Sequence, residues 1–314
     1  MRIKLKPLNH LMLVILIGCF VTACVKVDVC RWAITPSVDS VLYNHGYIYK
    51  APNFPKENQP PGSSIAQNRL VSEDNVVDLS VTHLIIPGQK TALVYCGGNG
   101  FRQGTLAKPL FNTFEPPPNM LIFDYPGYGQ SGGEATAQEF DQATHLLGKH
   151  LSEWQQVHGF QRIIFWGRSF GGTICARLAG GYSGESSLVL ETTYNDLRSL
   201  TSSRAGLFKH FFKIKIDSEA PDFSIDKSLM SYSYPIAILK STNDPITPPE
   251  ASENLARLLV RGGKSVITVN MGAVDHKEIL FQPCLANSIL ERIRPMVGDI
   301  RVRTENCTRK SGYE

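Results

Sequence analysis

Three residues stand in an order and in settings that suit acyl transfer: Ser169, Asp244 and His276. Ser169 lies in Gly167-Arg168-Ser169-Phe170-Gly171. A serine hydroxyl is a poor nucleophile at neutral pH. It needs a base within hydrogen-bond reach, and the base needs an acid to fix its tautomer. Asp244 follows the apolar run 235–240 inside Ser241-Thr242-Asn243-Asp244-Pro245, and His276 follows the run 265–269 inside Gly272-Ala273-Val274-Asp275-His276. Serine, then acid, then histidine is a known chain order for this chemistry. Both partners are expected at the carboxyl ends of strands.

Rival residues for these roles are present. Glu191 also ends an apolar run and is a second candidate acid. Asp275 adjoins His276 and reads as a turn residue. His45, His83, His145, His150 and His158 precede the serine, and His210 falls in an irregular stretch; each reads as structural or solvated. An oxyanion needs two preorganised N–H donors. One is the backbone of Phe170. The other is expected from Gly97-Gly98-Asn99-Gly100, with Asn99 the first choice and Gly100 the second. A Gly-x-Ser-x-Gly pentapeptide is common by chance, and Gly-Gly-Asn-Gly by itself is a plain tight turn. Their context gives them weight. Arg162-Ile163-Ile164-Phe165-Trp166 reads as a strand entering the serine turn, and Thr173 to Ala179 as a helix leaving it, the layout of a nucleophile elbow.

The elements that must hold these residues follow from periodicity. Strands are expected at 76–86, 91–96, 120–125, 162–166, 187–192, 235–240 and 265–269. Helices are expected near 103–111, from Thr136 towards Val157, after Ser169, at 250–260 and over 279–297. Thr136 and Glu139 have capping-box spacing. Strands alternating with helices from Ala92 onward predict an α/β fold, a mostly parallel sheet covered on both faces, with ligands beyond the carboxyl ends of the strands. Residues 195–233 break the rhythm. They carry Phe208, Phe211, Phe212, Ile214 and Ile216 among basic residues and read as a short helical, lid-like insertion.

The chain has 314 residues, is 42% hydrophobic and 19% charged, and carries a formal charge of +4. That composition suits a globular core. Arg2, Lys4 and Lys6 supply three of those charges, and no acid lies among the first 23 residues, so the remainder is near +1. No basic stripe points to nucleic acid. A positive start, an apolar run from Leu11 to Ile17 and Val21-Thr22-Ala23-Cys24 resemble a bacterial lipoprotein signal. That resemblance implies cleavage before Cys24, lipid on its thiol, and an envelope protein facing the periplasm, with the outer membrane favoured by Val25. Residues 1–23 are then signal, 24–70 an arm rich in Pro, Asn and Tyr, 71–300 the folded domain and 301–314 a polar tail. Five cysteines remain. Cys96 and Cys175 read as plain buried thiols. Cys284 and Cys307 are placed to pair in an oxidising compartment, with Cys30 as competitor. No Cys/His spacing resembles a zinc site, and no cofactor is expected.

The motifs together resemble the α/β-hydrolase superfamily, in particular the Bem46-related α/β-hydrolase-domain serine hydrolases. Asp124-Tyr125-Pro126-Gly127-Tyr128-Gly129-Gln130-Ser131 and Gly167-Arg168-Ser169-Phe170-Gly171-Gly172 carry the likeness, and Asp244 and His276 fall where that group has its acid and base. The resemblance covers about residues 76–297. It implies a triad of Ser169, Asp244 and His276 acting on an ester or thioester, with an amide as the variant. Gly97 departs from the pattern, where the group has a histidine. The aromatic insertion favours a small-molecule or lipid-like acyl substrate. The oligomeric state is left open. The rival readings are a non-catalytic envelope lipoprotein that binds through the same fold, and a thiol enzyme using Cys96 or Cys175.

Overall fold

The structure, a computed structural model, describes Gln59 and residues 62–197, 199–200, 223–276 and 279–304. The expected signal, Cys24, Cys30, Cys307 and the aromatic part of the insertion lie outside the described residues.

The strand expectations hold to within a few residues. The chain runs β1 (Ser64–Val71), β2 (Asp78–Ile85), β3 (Thr91–Cys96), α1 (Gln103–Thr113), β4 (Asn119–Phe123), α2 (Ala137–His158), β5 (Arg162–Arg168), α3 (Phe170–Gly181), β6 (Ser186–Glu191), α4 (Ile225–Ser228), β7 (Ile236–Lys240), α5 (Pro249–Arg261) and β8 (Val266–Asn270). A 3₁₀ turn (Ile279–Phe281), α6 (Pro283–Arg292) and α7 (Arg294–Val297) follow. The sheet has eight strands in the order β1-β2-β4-β3-β5-β6-β7-β8. β1 and β2 pair antiparallel, β2 meets β4 antiparallel, and every pairing from β4 to β8 is parallel.

Side-chain alternation along each buried strand divides the core. Val94 and Phe165 face α2, α3 and α5, whereas Leu93, Tyr95, Ile164 and Trp166 face α1, α6 and α7. The helices present matching stripes: Phe140, Ala143, Leu147 and Leu151 on α2, and Ala251, Leu255 and Leu259 on α5. The Thr136 hydroxyl accepts from the Glu139 N–H at 3.2 Å, which caps α2. The reciprocal half of the expected box is absent, because the Glu139 carboxylate accepts from the Glu134 N–H instead.

Four expectations are revised. β1 was not foreseen: the end of the presumed arm pairs along all of β2 as an edge strand. The single helix expected over 279–297 is broken, because Pro283 and Pro295 have no N–H to donate and each lies in the first turn of a new segment. The start of the polar tail is fixed: Val302 is buried, exchanges two hydrogen bonds with the Asn287 amide and bridges Phe114. The described flanks of the insertion belong to the core, since Leu197, Leu200, Phe223, Ile225 and Leu229 are buried.

Candidate active site

In-register parallel strands bring the candidate residues to one edge of the sheet. Cys96 aligns with Gly167, Arg168 with Glu191, Glu191 with Leu239, and Lys240 with Asn270. The loops that leave β3, β5, β6, β7 and β8 therefore open on the same side.

Ser169 occupies the turn between β5 and α3 with φ 51° and ψ −124°, a backbone region that costs a non-glycine residue roughly 1–3 kcal/mol. The surroundings hold it there. Its N–H donates to the Glu191 carbonyl at 2.8 Å, and its carbonyl accepts from the Thr193 hydroxyl at 2.7 Å. Gly171 is required by close approach, because a Cβ there would overlap the carbonyls of Cys96 and Gly97. Phe170 begins α3, where the first N–H groups have no helical acceptor. Its ring packs against Tyr125, Phe140 and Phe223, which fixes the direction of that N–H.

His276 and Asp244 meet. His276 Nδ1 lies 2.6 Å from Asp244 Oδ2, with the carboxylate fully buried and the imidazole partly exposed. The second carboxylate oxygen of Asp244 accepts from the backbone N–H groups of Ile246 and Thr247, both at 2.8 Å. Asp244 is thereby oriented from two sides. Glu191, the rival acid, is turned elsewhere: it accepts from the Trp166 indole N–H and the Ile279 N–H, both at 2.7 Å. Asp275 is exposed, as its reading as a turn residue implied.

The loop after β3 is organised by the Asp124–Ser131 motif. Tyr125 donates to the Gly97 carbonyl at 2.6 Å, and Tyr128 donates to Asn99 Oδ1 at 3.2 Å. Burial pushes the Tyr125 phenol well above its usual range and raises Tyr128 as well, so both remain protonated donors. Asp124 accepts from the Gln103 and Gln130 N–H groups at 2.8 and 2.9 Å, and burial raises its carboxyl above the ordinary value. At Gly97 the Phe101 ring fills the space a Cβ would need. Beside Phe101 as it stands, only glycine fits at position 97.

Cys96 and Cys175 form a disulfide, with Cα atoms 5.8 Å apart. This corrects the expectation of two buried thiols and removes them as candidate nucleophiles. It ties the end of β3, just before the candidate oxyanion loop, to the second turn of α3. Cys284 is exposed on α6, and its expected partners Cys30 and Cys307 lie outside the described residues.

Comparison with known proteins fits this architecture. Residues 114–180, from the start of the β4 region through the elbow helix, match a family described as Chlamydia CHLPS protein, a domain of unknown function. An uncharacterized protein of Caenorhabditis elegans is 29% identical over 178 residues, 56% of this chain and 36% of that protein, so the chain spans about a third of its relative's length. Among solved structures, an alpha-beta hydrolase from Vibrio vulnificus superposes with a TM-score of 0.56 at 19% identity, covering 83% of this chain and 89% of that one. A Pyrococcus furiosus esterase gives 0.55 at 16% identity, covering 81% of this chain and all of its own. This chain has the α/β-hydrolase fold.

Within this hydrolase fold the site contains contacts that sequence reasoning missed. The disulfide, the Glu191 link to Ile279 and a contact from Arg168 to the His276 carbonyl each join residues dozens of positions apart. Neither composition nor periodicity signals such contacts, because each joins separate parts of the chain.

Proposed function

We propose that the protein is a serine hydrolase that cleaves a carboxylic ester or thioester through an acyl-enzyme on Ser169. One observation carries this reading: the 2.6 Å contact between His276 Nδ1 and Asp244 Oδ2, at the same sheet edge as a serine held at positive φ. A proton on Nδ1, donated to Asp244, leaves Nε2 as the basic nitrogen.

The steps follow. Ser169 Oγ bonds to the substrate carbonyl carbon while its proton passes to His276 Nε2. The resulting oxyanion is stabilised by the N–H groups of Phe170, at the start of α3, and Asn99, in the loop after β3. The bond to the leaving alcohol or thiol then breaks, and the leaving group takes the proton from His276. Water repeats the sequence on the acyl-enzyme, with His276 again as base, and releases the acid. Asp244 holds the imidazole in one tautomer and offsets its positive form.

The envelope location belongs to the same proposal, with lipid on Cys24 as anchor and an acyl substrate met on the periplasmic side. The Cys96–Cys175 disulfide supports it independently of the signal, because disulfides persist in oxidising compartments.

A fluorophosphonate probe tests the chemistry. The expected result is labelling of the folded protein at Ser169, none in Ser169→Ala, and hydrolysis of p-nitrophenyl esters or a palmitoyl thioester by the former alone. A folded protein that neither labels nor hydrolyses would leave only the non-catalytic binding reading.

A further inference from the structure

Arg168 precedes the nucleophile, yet its side chain is only 8% exposed, unusual for a cation with a long stem. Its Nη2 donates to the main-chain carbonyl of His276 at 2.5 Å, across 108 positions of sequence. Its Nη1 lies against Gly98, where a Cβ would come within 3.0 Å. One guanidinium therefore touches the base loop and the loop after β3 from the strand that carries Ser169. Three residues beyond His276, Glu191 accepts the Ile279 N–H. The base loop is thus held at His276 by a cation and at Ile279 by an anion, both at the end of neighbouring strands.

We infer that Arg168 is a positioning residue that sets where His276 stands relative to Ser169. Asp244 fixes the Nδ1 side of the imidazole, and Arg168 fixes the backbone from which the imidazole swings. Two fixed points define the ring's place, whereas one leaves a rotor. Arginine suits the task because its planar fork presents several donors in fixed directions, which lysine does not. The inference rests on the serine-hydrolase reading for its kinetic consequence, and on geometry alone for its structural one.

The test compares Arg168→Met, Arg168→Lys and Arg168→Ala with the unaltered protein and Ser169→Ala. A displacement of about 1 Å at a reacting group costs roughly 10²-fold, so kcat of folded Arg168→Met is expected to fall by about that factor with KM little changed. Millimolar guanidinium, but not ammonium, is expected to restore part of the kcat of Arg168→Ala. Unchanged kcat in folded Arg168→Met overturns the inference, as does a loss confined to KM. If Arg168→Met does not fold, Arg168→Lys decides: reduced kcat at an unchanged melting temperature supports the role, and full kcat refutes it. A readout free of turnover separates this from the hydrolase proposal. The low-field NMR proton of the His276–Asp244 bond is expected to shift or vanish in Arg168→Met. If that happens in a protein that never labels with fluorophosphonate, the hydrolase reading falls and the positioning stands; if the proton stays unchanged, the positioning falls.

Discussion

The two halves of the site are held by different forces. The half around Ser169, the proposed nucleophile, is fixed by main chain and covalent bonds. Gly171 lies against the Cys96 and Gly97 carbonyls, the Cys96–Cys175 disulfide joins β3 to α3, and Ser169 is strained in place. The base half is fixed by side chains reaching across the fold. His276 leans on Asp244, its carbonyl on Arg168, and the turn beyond it on Glu191. Gly272, Ala273 and Asp275 in that loop are exposed. Ser169 and the start of α3 are thus held by main chain and a covalent cross-link, while His276 sits on a loop whose place depends on three long-range contacts.

The sharpest way to break this comparison is Asp244→Asn. It preserves size, but the Ile246 and Thr247 N–H groups claim the amide oxygen and leave the NH2 facing His276 Nδ1, which forces the other tautomer; kcat is expected to fall by about 10⁴-fold with the fold intact. Glu191→Gln, which still has one acceptor for two donors, should cost less activity than that. The reverse ranking in steady-state kinetics would make Glu191 the acid.

The next largest effect lies in the other half. Removing the disulfide with Cys96→Ala and Cys175→Ala opens a cross-link spanning 79 positions. A loop of that size is worth about 2–4 kcal/mol. Urea unfolding is expected to show the loss, and an unchanged midpoint would mean that the main chain alone holds the nucleophile half.

The smallest effect concerns neither half directly. His83, on β2, lies with its Nε2 2.8 Å from that of His150 on α2, beside Trp154. Burial, then the neighbouring His150, lowers the His83 imidazole from 6.5 to about 3, and burial lowers His150 too. The unfolded chain therefore binds a proton at His83 that the folded chain refuses between those pH values. The contribution of His83 to stability is full above about pH 6.5 and falls as pH drops towards about 3, and the lowered His150 acts in the same direction. Thermal melting from pH 7 to pH 4 should show this, and His83→Phe should flatten the curve.

The same contrast explains what the sequence disclosed. Where two stretches of main chain approach closely, only glycine fits, so the elbow and the Gly97 turn were visible as motifs. The strands β3 to β7 were legible as short, nearly continuous apolar runs, because the parallel sheet buries them on both faces. Asp244 and His276 were found because strand ends announce them. The contacts of Arg168 and Glu191 leave no local trace, since any buried cation or acid could have satisfied the same composition. Cys96 and Cys175 sit on apolar elements where an unpaired thiol is equally at home, and pairing depends on a register that periodicity does not give. β1 was hidden because an edge strand with one solvated face resembles a polar arm.

The disulfide also has a topological consequence. Cys96 and Cys175 close the chain into a ring that contains α1, β4, α2, β5 and Ser169 itself. A protease that cuts the exposed Gly133-Glu134 turn opens that ring without dividing the molecule. Such a nicked protein runs as one band without reductant and as two with it, and until reduction Ser169 stays covalently attached to both pieces.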